Sequence, residues 1–146
     1  MGCNGTILFL GLMVVVVVGL VWCQPCQQSA APTAAVRMQL GAVHDVSSPD
    51  QLNAAVKGGE PVLAMFHSHG CGHCLRMKPV VEELAKTSDV PIVRMAVSPE
   101  TQAWFAEQKF RGVPVFRGYK GGKTQDWVGA RDEAGLKQLL AEVKAM

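Results

Sequence analysis

Apolar and polar positions follow three different rhythms along the chain. From Ile7 to Val21 every position is uncharged and nearly all are apolar, with Val14-Val15-Val16-Val17-Val18 at the centre. A spanning helix needs ~20 such residues, with a lower limit of about 17, and a secretory leader core roughly 7 to 15. The run lies between these, lacks a preceding Lys or Arg, and has only Thr33-Ala34-Ala35 as a late cleavage candidate. We read residues 1–26 as a retained hydrophobic membrane anchor, with a cleaved signal sequence as the alternative. Gln27 to about Gln39 is rich in Gln, Ser, Ala and Pro, which suits a flexible linker over residues 27–40.

From residue 41 the rhythm becomes that of alternating strands and helices. Ala42 to Val46 predicts a short strand. Ser48-Pro49-Asp50 predicts a helix start, with Ser48 as N-cap and Pro49 in the first turn; Leu52, Ala55 and Val56 share one face, and Gly58-Gly59 ends it. Pro61 to Phe66 is a continuous apolar run, as expected of a strand covered on both sides. Cys74, Met77, Val81 and Leu84 mark the buried side of a helix running from the cysteines to about Lys86, with Pro79 inside it. Pro91 to Val97 predicts a strand. Ser98-Pro99-Glu100 repeats the capped-helix signature, for a helix that carries Trp104 and Phe105 to about Gln108. Gly112 to Phe116 opens another strand, Lys120-Gly121-Gly122-Lys123 a hairpin turn, and Thr124 to Val128 the return, broken by Gly129. Leu136, Leu139, Leu140 and Val143 complete an amphipathic helix. The order β-α-β-α-β-α-β-β-α implies one α/β domain over residues 41–146, with a mixed central sheet and helices on both faces.

Composition narrows the partners. All 14 basic and 12 acidic residues lie from Arg37 onward, and the net charge of +2 is too small to suggest nucleic acid. The five cysteines, Cys3, Cys23, Cys26, Cys71 and Cys74, are too few for a disulfide-built scaffold. Cys23 and Cys26 form a C-x-x-C at the expected membrane exit, best read as juxtamembrane cysteines. Met1-Gly2-Cys3 also fits an acylation pattern, which an adjacent spanning segment makes redundant.

Cys71-Gly72-His73-Cys74 is the stretch with chemistry. A strand leads in and a helix leads out, which puts Cys71 at a helix N-terminus, where free N–H groups and the dipole favour a thiolate. His73 adds positive charge or a donor beside the sulfur. Cys74, one turn further, is close enough to attack a mixed disulfide formed at Cys71, so a dithiol and a disulfide interconvert with little backbone movement. The two electrons are then carried by the cysteines, and no organic cofactor is implied. A rival reading takes His67-Ser68-His69 together with the cysteines as a zinc or copper site on a membrane-tethered metal-binding module.

The matching pieces stand in order: Pro61 to Phe66, Cys71-Gly72-His73-Cys74, Pro79 five residues after the second cysteine, Arg111-Gly112-Val113-Pro114, Lys120-Gly121-Gly122 and Val128-Gly129. On these the chain from about Val43 resembles the thioredoxin superfamily, and its active motif is similar to that of protein disulfide isomerase domains. The resemblance implies a thioredoxin-like fold, a Cys71–Cys74 redox disulfide, and a cis Pro114 facing the cysteines. It also implies substrate contacts at Val113, Pro114 and Gly72. The chain departs from the family at Gly70, usually aromatic, at Met65, often an acid, and at Arg117 and Gly118, usually apolar. The expected activity is thiol–disulfide exchange with cysteine-containing protein substrates and a redox partner. The expected setting is a single-pass membrane protein with its domain on the lumenal or extracytoplasmic side.

Overall fold

A computed structural model describes residues 38–146. The expected anchor, Cys3, Cys23, Cys26 and almost all of the expected linker lie outside the described residues. Nine elements follow one another: β1 (Val43–Val46), α1 (Pro49–Val56), β2 (Val62–His67), α2 (Gly72–Thr87), β3 (Ile92–Ala96), α3 (Gln102–Glu107), β4 (Val115–Lys120), β5 (Lys123–Val128) and α4 (Glu133–Ala145). The order is the one the sequence pattern predicts. The sheet runs β1-β3-β2-β4-β5. β1, β3 and β2 are parallel, and β4 and β5 are antiparallel additions.

β2 is the axis of the molecule. All six of its residues are buried, because alternate side chains enter two separate cores. Leu63 and Met65 pack with α2 and α4 through Met77, Val81, Leu136 and Val143. Val62, Ala64 and Phe66 pack with α1 and α3 through Leu52 and Phe105. Phe66 sits within 5.1–5.5 Å of Trp104, Phe105 and Phe110. Helices thus cover both faces, as a β-α-β chain with right-handed crossovers requires.

The ends of the elements follow their local chemistry. Ser48 caps α1 by accepting from the Gln51 N–H at 3.2 Å, and Asp132 caps α4 by accepting from Gly135 at 2.8 Å. The β4–β5 hairpin turns through Gly121 and Gly122 at φ 55° and 79°, a pair of left-handed positions that suits glycine. α3 differs from expectation. Ser98-Pro99-Glu100 does not start the helix; it forms a turn, and α3 begins at Gln102. The reason is Thr101, whose buried hydroxyl donates to the Ala96 carbonyl and accepts from the Ser98 N–H, both at 2.9 Å. That side chain ties the turn to the end of β3 and delays the helix.

The two unusual residues of β4 are also explained. Arg117 makes a two-pronged pair with Asp126 on β5, donates to Gln108 at 2.6 Å and lies over the Phe110 ring at 4.8 Å. Gly118 leaves room for α4: a Cβ there would stand 2.5 Å from Val143 Cγ2 and 3.1 Å from Trp127.

Candidate active site

Cys71 ends the loop that leaves β2 and is the N-cap of α2. Its Sγ accepts from the Cys74 N–H at 3.2 Å, so the sulfur occupies the place where a helix start offers unpaired donors. Its thiol also donates to the Val113 carbonyl at 3.6 Å. Cys74 lies one turn on, fully buried against Met65 and Met77 in the α2–α4 core. Both cysteines are free thiols.

The two thiols are driven apart electrostatically. A hydrogen bond from the Cys74 thiol holds the Cys71 pKa below the usual cysteine value; partial desolvation opposes it, and the Cys74 and His73 N–H groups and the Arg76 charge assist. Burial, then the hydrogen bond to Cys71, pushes Cys74 up to about 11. One thiol is therefore poised as the thiolate nucleophile and the other is stored protonated. Met65, directly across from Phe116 on β4 and wholly buried, brings no group that could take the Cys74 proton.

Val113–Pro114 is a cis peptide bond, as the sequence resemblance implied. Pro114 is buried, and its carbonyl accepts from Gly129 N–H at 2.9 Å, which fixes the loop against the end of β5. Val113 thereby presents its carbonyl to Cys71. A shallow apolar hollow of about 270 Å³ adjoins it, walled by Val97, Phe105, Phe110 and Gly112. Gly72 is exposed and open, with nothing among the described residues within 4 Å of where a Cβ would lie.

His73 is exposed, and its Nδ1 accepts from Arg76 at 2.9 Å. Its backbone N–H and the Arg76 guanidinium both favour the Cys71 thiolate. Arg76 is the site residue that sequence reasoning missed; the available signal was a cation one turn along the helix from Cys74's neighbour His73. Gly70 leaves open space before Cys71. The histidines do not gather round the cysteines. His67 is buried at the end of β2, its ring 5.7 Å from that of exposed His69. Among the described residues no three His, Cys, Asp or Glu side chains stand where they could hold one metal ion, and the rival metal-module reading finds no support there.

Comparison with known proteins agrees with this geometry. The family model described as Thioredoxin matches residues 43–142. Thioredoxin of Alicyclobacillus acidocaldarius is 32% identical over 94 residues, covering 61% of this chain and 87% of that protein. Protein disulfide-isomerase erp38 of Neurospora crassa is 32% identical over 98 residues, covering 62% of this chain but only 27% of that longer protein. The solved structure of a mutant thioredoxin from Halobacterium salinarum superposes with a TM-score of 0.66 at 29% identity, covering 74% of this chain and 96% of that one.

Proposed function

The chain belongs to the thioredoxin family, and from that premise we propose that it is a membrane-anchored disulfide oxidoreductase acting on cysteine-containing proteins through Cys71 and Cys74. The observation that carries the reading is the split between the two thiols: an N-capping Cys71 favoured as thiolate, and a buried Cys74 held near pKa 11.

The Cys71 thiolate attacks one sulfur of a substrate disulfide. A mixed disulfide forms and the other substrate sulfur leaves as a thiolate. Cys74 then gives up its proton and attacks the Cys71 sulfur, which frees the second substrate thiol and leaves a Cys71–Cys74 disulfide. Run backwards, the same steps oxidise a substrate dithiol and return both cysteines to thiols. The substrate backbone lies along Val113, whose carbonyl already points at Cys71, and Gly72 lets that backbone approach α2. Pro114 has no N–H of its own to compete for it. The apolar hollow beside Val113 receives a substrate side chain. Arg76, more than the His73 imidazole, supplies the positive charge beside the sulfur.

Stabilising the thiolate stabilises the reduced form and makes the pair more oxidising. We therefore place the protein on the oxidase and isomerase side, in an oxidising compartment. The reduction potential of the full-length protein in glutathione buffers tests this. A value of about −180 mV or higher supports it, and a value near about −270 mV makes the protein a reductant instead. Anchoring by residues 1–26 predicts that the protein stays with membranes under alkaline carbonate washing; its release would return that segment to a cleaved leader.

A further inference from the structure

Between α2 and the C-terminal ends of β1, β3 and β2 lies a cavity of about 750 Å³. Neither Cys71 nor Cys74 lines it, so it is separate from the thiol site. Its position has a topological cause. α2 leaves β2 toward one face of the sheet and α3 leaves β3 toward the other, and such a divergence opens a crevice at the carboxyl ends of parallel strands. The volume is that of a small-molecule site.

The wall holds groups left without partners. His67 is only 3% exposed, and among the described residues its Nδ1 has no hydrogen-bond partner, a costly state for a buried polar atom. Lys78, half-buried on α2, takes part in none of the ion pairs among the described residues. Arg94 is the contrast: its three donor nitrogens are taken up by Asp45 and Glu82. Glu100, at the rim, has no cationic partner among the described residues either, and its carboxylate is steadied by Ser98. The field at His67 is positive. Burial first, then Lys78, Arg94 and His69, push its imidazole down to about 4, and Asp45 alone pulls the other way.

We propose that this cavity binds a small zwitterion of the amino-acid or short-peptide type, with its carboxylate at Lys78 and His67 and its ammonium at Glu100. A lone anion would leave Glu100 unpaired, and a lone cation would meet the positive field at His67. A bound carboxylate favours protonated His67, so affinity rises as pH falls. Of the charged groups facing the cavity, Asp45 and Glu100 are negative and Lys78 and Arg94 positive. His67 and His69 bring the imidazoles of the wall.

Triglycine is the probe, titrated into the full-length reduced protein by calorimetry, with the histidine ring signals followed by NMR. Saturable single-site binding is expected, with a shift of the His67 ring. Lys78→Gln and Glu100→Gln each weaken it by about fivefold or more, and acetate and methylamine bind more weakly than triglycine. Affinity rises as pH falls from about 6.5 toward about 4, the value of His67 in the free protein. Cys71→Ser leaves binding unchanged, which separates this site from the exchange chemistry. Both charge substitutions lie on solvent-accessible side chains, and unchanged circular dichroism verifies their fold. The proposal is overturned if triglycine does not bind at about 10 mM, or binds equally well to both charge variants. Acetate binding as tightly as triglycine would make this a plain anion site, and zinc binding in place of triglycine would make it a metal site; either result also overturns the proposal.

Discussion

At the scale of single residues, the chemistry rests on which groups keep and which lose their protons. Arg76 helps to hold Cys71 as a thiolate. Because this cation is exposed, its effect is modest and screened by salt. Arg76→Gln is expected to slow Cys71 alkylation at neutral pH by about two- to fourfold, with the difference shrinking as salt is added; rates measured in low and high salt check this. His67 makes a larger contribution to stability. Its folded pKa of about 4 lies below the ordinary 6.5, so the protein keeps the benefit of a neutral imidazole above about pH 6.5. That benefit is lost progressively as pH falls from there through the folded value, by on the order of 3 kcal/mol in total. Urea unfolding from pH 7 to pH 4 measures the decline, and His67→Leu should flatten it. Gly70 and Met65 were readable in the sequence as departures from the family. Arg76 was not, because its importance depends on a helix geometry that places it near a sulfur five residues earlier.

At the scale of elements, strands and helices were legible wherever the apolar period was clean. β2 read as doubly buried, and each of its six residues is; Ser48 read as a cap, and it accepts from Gln51. The start of α3 was not legible. A Ser-Pro-Glu triplet resembles a cap, but a buried threonine three residues beyond Ser98 overrides it with hydrogen bonds to Ala96 and Ser98. Thr101→Val keeps the shape and strands the Ser98 N–H, and is expected to destabilise the protein by about 1–3 kcal/mol in denaturant unfolding. The partner of Arg117 was equally hidden, since Asp126 faces it only through the β4–β5 register. Gly118 stood out as a departure in a strand, yet a Cβ there would meet Val143 of α4 at 2.5 Å. Gly118→Val is expected to cost about 1–3 kcal/mol by overpacking against Val143 and Trp127, read as a lower urea midpoint.

At the scale of the whole molecule, one strand joins two cores and delivers the active loop at its end. The N-terminus of α2, the cis-proline loop and the buried side of α2 meet around two sulfurs that differ in exposure and in proton affinity. The six motifs quoted from the sequence predicted this meeting because they mark its fixed points: the strand, the cysteines, the helix proline, the cis-proline loop, the hairpin and the final turn. The cavity walled by His67, Lys78 and Glu100 had no such marker, since its walls come from three strands and a helix distant in sequence. The central claim is the division of labour between the thiols. The measurement that tests it most directly is alkylation of the reduced full-length protein by iodoacetamide across pH, with each cysteine quantified by peptide mass. The account predicts that Cys71 is modified with a midpoint below the ordinary cysteine value and that Cys74 stays protected until about pH 11. Equal titration of the two, or earlier modification of Cys74, would contradict it.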